Sequence, residues 1–234
     1  MLMRRVTAVR RVVTLLAAAG ISAAVVATAS SQAGANTSSS GSSFFPDTAD
    51  AVAFHDQMRK LWEDHVTWTR LTIVSAVGGA DGATLPDLTQ TLDRLQANQD
   101  DIGAAIVPYF GQAAGDQLAA LLHEHLSLAA TLVRDAKAGD TVGVTSTKTA
   151  WYENAQQIAD FLAAANPRYW PLDAVSAAMK AHLDQTLQEA VDQIQHNVTA
   201  EAGDYEAAHQ HILEIADLLS AGIIQKFRDQ FEQN

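Results

Sequence analysis

Apolar residues return every three to four positions from Asp47 almost to the C-terminus, and nowhere do they settle into strict alternation. This period predicts six helices, over roughly 47–77, 86–106, 113–137, 146–165, 172–198 and 203–230. The breaks carry turn chemistry: Gly78-Gly79, Pro86, Pro108 with Gly111, Gly139-Asp140, Asn166-Pro167 with Pro171, and Gly203-Asp204. No strand run and no repeat period is evident. Helices of this length joined by short turns bury their apolar stripes by lying antiparallel, so the expected fold is all-α, an antiparallel helical bundle of about six helices.

The first 46 residues do not share the period. Arg4, Arg5, Arg10 and Arg11 precede an uncharged, alanine-rich run from Val12 to Ala27, and small residues offer cleavage after Ala29 or Ala35. Residues 1–35 are therefore expected to be a signal peptide. The Arg10-Arg11 pair faintly resembles a twin-arginine signal, although the rest of that motif is missing. Residues 36–46, NTSSSGSSFFP, form a Ser-rich linker, and 47–230 the bundle domain. The expected location is secreted or extracytoplasmic, with membrane contact only through the signal segment if it is retained.

Charge narrows the partners. The chain has 27 acidic against 15 basic residues and a formal net charge of −12, and losing a segment whose charges are all basic makes the remainder more acidic still. Such a surface repels phosphate backbones, so nucleic acid is not an expected partner. With no cysteine, disulfides, iron–sulfur clusters and thiolate zinc sites are excluded.

The candidate chemistry lies where the helical period turns polar residues inward. Phe54, Met58, Leu61, Trp62, Trp68 and Ile73 share a face with His65 at its middle, flanked by Thr69 and Thr72. His125 takes the same place among Leu118, Leu121, Leu122, Leu128 and Leu132. Asn154 lies between Trp151, Ile158 and Leu162, His182 falls on the flank of the fifth helix, and His209 sits at the edge of the last stripe. Buried without partners, such groups cost a few kcal/mol each, so they must meet each other, water or a ligand. The pairs His123/His125 and His209/His211 imitate chelating motifs, but residues two apart on a helix point about 200° from one another. Arg70 and Asp64 are expected on solvated faces, although either could pair inward at a helix boundary.

Several chemistries fail on spacing. A di-iron carboxylate bundle needs two Glu-x-x-His motifs, and only Glu206-Ala-Ala-His209 occurs. A hemerythrin-like site wants His or carboxylate four residues after each histidine, where Thr69, Ala129, Thr186 and Leu213 stand instead. Neither a Walker loop, nor Gly-x-Gly-x-x-Gly, nor a Gly-x-Ser-x-Gly elbow is present. What survives is a mononuclear transition-metal site from His65, His125 and His209, with His182 or Asp217 in support. Trp62, Trp151 and Asn154 are the candidate cofactor- or ligand-lining residues. A haem variant would take one buried histidine as axial ligand, with Trp62, Trp68 and Trp151 around it. The competing reading is a set of core histidines satisfied by Asn154, Thr69, Thr72, backbone or buried water.

The stretches LWEDHVTWTR, LLHEHL, WYENAQQIADFL followed by NP, and HQHILEIADLL resemble a family of exported bacterial all-helical proteins without an established activity. The resemblance covers most of 54–228 and points to His65, His125, Asn154 and His209, while implying no mechanism. The expected function is a secreted or cell-envelope binding protein with a buried histidine cluster, for a transition metal or a small polar ligand, without turnover. The alternative is a structural or interaction protein of the envelope whose His/Asn core only fixes helix register.

Overall fold

Thr48 opens the first helix by accepting a hydrogen bond from the Ala51 amide at 3.2 Å, one of the four orphan donors of a helix start. The computed structural model describes residues 48–79 and 81–232; the expected signal peptide and the Ser-rich linker lie outside them. Six long helices follow in order: α1 Ala49–Val77, α2 Leu88–Phe110, α3 Gln112–Ala138, α4 Thr141–Ala165, α5 Leu172–Gln195 and α6 Val198–Lys226, with a single turn, α7 Arg228–Phe231, after them. The described residues contain no strand. The all-α bundle is therefore the observed fold.

Each helix packs against the next and α6 returns to α1, so the six form a closed ring in which α1 leans inward to reach α3 and α5 as well. Chain direction alternates. The starts of α1, α3 and α5 define a lower end, and their C-termini an upper end. Side chains that meet inside the ring, such as Ile158, Leu183, Ile212 and Ile223, are wholly buried. Each contributes about 1.5–3 kcal/mol over exposure. The lower end is closed by α7, whose Phe231 packs on Phe54 and stacks on Tyr109 at 5.4 Å between ring centres.

Boundaries differ from the sequence expectation where local chemistry is stronger than a breaker residue. The second helix runs through Pro108 to Phe110, because only one amide is lost so close to its end, and Gly111 alone makes the turn at φ +86°. The fourth helix starts five residues before the expected 146, since the Asp140 carboxylate accepts from the Val142 and Gly143 amides. The fifth stops at His196, which adopts φ +55°, and the sixth starts at Val198 rather than 203.

Two glycines let backbones touch. A Cβ on Gly103 of α2 would lie 2.7 Å from the Gly115 carbonyl oxygen of α3, and one on Gly115 2.8 Å from that of Gly103. Nothing lies within 4 Å of a Cβ on Gly203. Gly103→Ala should therefore cost about 1–3 kcal/mol by overpacking. Gly203→Ala should gain about 0.5–1 kcal/mol from helix propensity. Thermal melts of the two variants are expected to move in opposite directions from the parent, and a shared direction would refute the close-approach account.

Candidate functional site

The three rising helices each bring one histidine to the centre of the ring. His65 of α1, His125 of α3 and His182 of α5 are 2 %, 3 % and 4 % exposed. The His182 ring centre lies 5.7 Å from that of His65 and 6.2 Å from that of His125. His182, expected on a flank, is thus a full member of the group, because α5 packs between α4 and α6 with that flank turned inward.

The falling helices supply the hydrogen bonds. The Asn98 side-chain amide of α2 donates to the Leu61 carbonyl at 3.0 Å, that of Asn154 in α4 donates to the Leu121 carbonyl at 3.2 Å, and His211 Nε2 of α6 donates to the Ala178 carbonyl at 2.9 Å. In every case the acceptor stands four residues before the buried histidine of the preceding helix. The three hairpins thus share one hydrogen-bond pattern, spaced about sixty residues apart along the chain. Leu61-x-x-Asp-His65 and Leu121-x-x-Glu-His125 mark it in the sequence. Ala178-x-x-Ala-His182 lacks both flanking residues.

The tautomer of His125 follows from its partners. Trp151 Nε1 can only donate, and it lies 3.1 Å from His125 Nε2, which accepts. His125 Nδ1 then carries the proton and donates to Asn154 Oδ1 at 2.8 Å. His65 Nδ1 accepts from Gln99 Nε2 at 3.2 Å, an amide also tied to the Leu95 carbonyl at 2.8 Å. Burial, with the neighbouring His125 adding, lowers His65 to about 3, against a hydrogen bond with Asn98 that works the other way. Burial lowers His125 to about 4, opposed by Asn154. Burial and then the surrounding imidazoles hold His182 well below the usual histidine range. All three rings are neutral at pH 7.

These contacts correct the expected ligand set. His209 is not with the others: its Nε2 lies 3.1 Å from Glu63 on the outer side of the α1–α6 contact, and its ring stacks on Tyr205. Asp217 pairs with Arg59 and His55 near the surface, away from any supporting role. Both nitrogens of His125 are engaged, leaving no lone pair for a metal. Among the described residues no group of three or more His, Asp or Glu side chains can hold a metal ion. Trp62 and Trp151 are core residues beside His65 and His125, whereas Trp68 lies under the Arg94 guanidinium at 5.9 Å. Thr69 and Thr72 do not serve the histidines; their buried hydroxyls have no hydrogen-bond partner among the described residues, as is true of Trp62 Nε1, Gln99 Oε1 and His182 Nδ1. The H-x-H geometry holds: His123 faces Asp100 while His125 faces inward, and His211 turns to α5 while His209 turns to α1.

Above the histidines, toward the upper end, lies a cavity of about 450 Å³ walled by α1, α2, α3 and α5. Leu95, Leu126 and Trp151, all buried, line its deep side next to His125; Ala76, Ala129 and Ala190 line its walls. The opposite face of α5 closes a second polar site. Glu189 of α5 and Glu201 of α6, 1 % and 3 % exposed, converge on Arg70 of α1, with Asp192 and Asp204 beside them. Arg70 takes the inward alternative: it ion-pairs with both glutamates and lies over the Tyr205 ring at 4.5 Å. Burial pushes Glu189 up to about 8, eased by Arg70 and reinforced by Glu201 and Asp204. Asp204 is raised to about 6 by burial and by its hydrogen bond to Asp192.

No protein-family model, curated protein or solved structure matches the chain. By its geometry the chain is an all-α ring of three helical hairpins around a histidine cluster.

The two polar sites have opposite pH signatures. Histidines with lowered folded values stabilise fully above about pH 6.5 and lose that contribution as pH falls toward their folded values of about 3 to 4. Glu189, with a raised folded value, contributes fully below its ordinary value of 4.5 and loses that contribution as pH rises to about 8. Melting temperature is expected to be highest near pH 6 to 7, falling on both sides. Glu189→Gln should flatten the alkaline limb and leave the acid limb, measured by circular dichroism; an unchanged alkaline limb would refute the assignment to Glu189.

Proposed function

We propose that this protein is a non-catalytic binding protein for a small, predominantly apolar molecule held in the cavity above the histidine cluster. The observation that carries the reading is the lining of that cavity. Its volume, about 450 Å³, falls in the range of small-molecule sites, roughly 300–1,000 Å³, and its wall is mainly aliphatic, with threonines and Trp151 interspersed and Arg134 and Lys137 as its charged members. Leu95, Leu126 and Trp151 form its deep wall, between the space and the histidine cluster. In this reading Trp151 is a lining residue, as the sequence suggested, while His65, His125 and His182 position the helices and do not ligate metal. Export through residues 1–35 would place the binding outside the cytoplasm, and belongs to the same proposal. Among the described residues no helix is long and apolar enough to cross a membrane.

The neutral fluorophore N-phenyl-1-naphthylamine tests the reading. Saturable binding at one site per chain, with a micromolar dissociation constant, is expected for the parent protein. Ala129→Phe and Ala76→Phe, which put rings into the space, should each weaken it at least tenfold while keeping the helical circular dichroism spectrum. Absence of saturable binding by the parent would overturn the proposal.

A further inference from the structure

The charge on the cavity wall runs against the composition of the chain. Acidic residues outnumber basic ones 27 to 15, yet no Asp or Glu lines the cavity, and the charged residues that do are Arg134 and Lys137. They stand three apart near the C-terminus of α3 and so share a face of that helix. This is the rim. Arg134 is largely exposed and pairs with Asp135, while the deep wall of Leu95, Leu126 and Trp151 is buried. Lys137 is half-buried, and its ammonium donates to the Ala76 carbonyl at 2.6 Å, in the last turn of α1. Among the described residues it has no carboxylate within 4.0 Å. An ammonium has three donors and this contact uses one.

We propose that the ligand is a single-chain anionic amphiphile, a medium-length aliphatic carboxylate, with its tail toward Trp151 and its head group at Lys137 and Arg134. This rests on the binding reading above and specifies which apolar molecule the site selects. A medium-length tail suits a cavity of about 450 Å³, within the range of small-molecule sites. The carboxylate stays at the rim, where it keeps water on one side and escapes the desolvation cost of the deep wall. The spare donors of Lys137 and the exposed fork of Arg134 supply charge-assisted hydrogen bonds. The reverse orientation would put a carboxylate against Leu95, Leu126 and Trp151 with no cation to meet it.

Displacement of N-phenyl-1-naphthylamine from the full chain by three decyl compounds separates the outcomes. Decanoate is expected to compete at least tenfold better than 1-decanol, and decyltrimethylammonium worse than either. The advantage of decanoate over decanol should shrink from 20 mM to 500 mM salt. It should disappear in Lys137→Met and fall in Arg134→Gln, with the helical circular dichroism spectrum kept in both as the control for folding. Decanol binding as well as decanoate, or a decanoate advantage unchanged in both variants, would overturn the head-group assignment and leave the cavity reading standing. A fluorophore that does not bind the parent protein would overturn the cavity reading itself.

Discussion

The side-chain bond from each falling helix to the carbonyl four residues before a buried histidine is the contact on which the rest of the bundle depends. A helix carbonyl already accepts one bond from its own ladder, so a second donor can reach it only if the neighbouring helix sits at one height and one rotation. Asn98, Asn154 and His211 impose that condition on α1–α2, α3–α4 and α5–α6 in turn. Aliphatic packing tolerates sliding by a turn; a buried amide does not, because an unmade hydrogen bond there costs about 1–3 kcal/mol. Three such bonds fix three hairpins in register, and with them the height at which His65, His125 and His182 meet.

Helix α5 shows how one segment serves two environments. Between Thr186 and Ile194 it gives Thr186, Leu187, Ala190 and Ile194 to the cavity and Glu189 and Asp192 to the contact with α6 and Arg70. The two sets alternate at the helical period, so the carboxylates never see the cavity although they are neighbours in sequence. The separation matters electrically. Glu189 and Glu201 are confined with a guanidinium of their own, and the cavity wall keeps only the positive charge of α3. A wall that also carried these carboxylates would repel an anionic head group at short range, where little solvent screens it.

The fold was legible because its signal is repeated many times: six stripes at one period, each closed by glycine, proline or a capping acid. The inward side of His65 and His125 was legible for the same reason, as was the opposed placing of His123 and His125. Three things were not. His182 lies on the flank of its own stripe, and only the packing of α5 between α4 and α6 turns that flank to the centre. His209 lies at an edge that the same logic left open, and the Glu63 carboxylate on α1 draws it outward. Asn98 and Gln99 were passed over although Gln99 stands within the Leu95, Ile102, Ile106 stripe, since a glutamine among leucines carries no motif. For Arg70 the sequence leaves both a solvated face and inward pairing open, and names no partner. Its burial depends on carboxylates more than a hundred residues away, which no local window can pair with it.

The walls of the cavity bear on why it exists at all. A bundle of this size could close the space above His125 by placing leucine at Ala76, Ala129 or Ala190, each of which would bury further apolar area worth about 25 cal/mol per Å². The lower end does this thoroughly, with Phe54, Tyr109, Phe110, Trp170, Phe227 and Phe231 packed ring against ring. The same chain therefore fills one end with aromatic residues and sets alanine and threonine among the larger aliphatic residues of the other. Small residues at the upper end keep apolar surface available that larger ones would bury within the protein. That surface is most stable when a partner of matching shape covers it. The hydrogen bonds of His125 to Trp151 and Asn154 lie just beneath the deep wall of that space and hold α3 and α4 at one height there, without a side chain filling the space above.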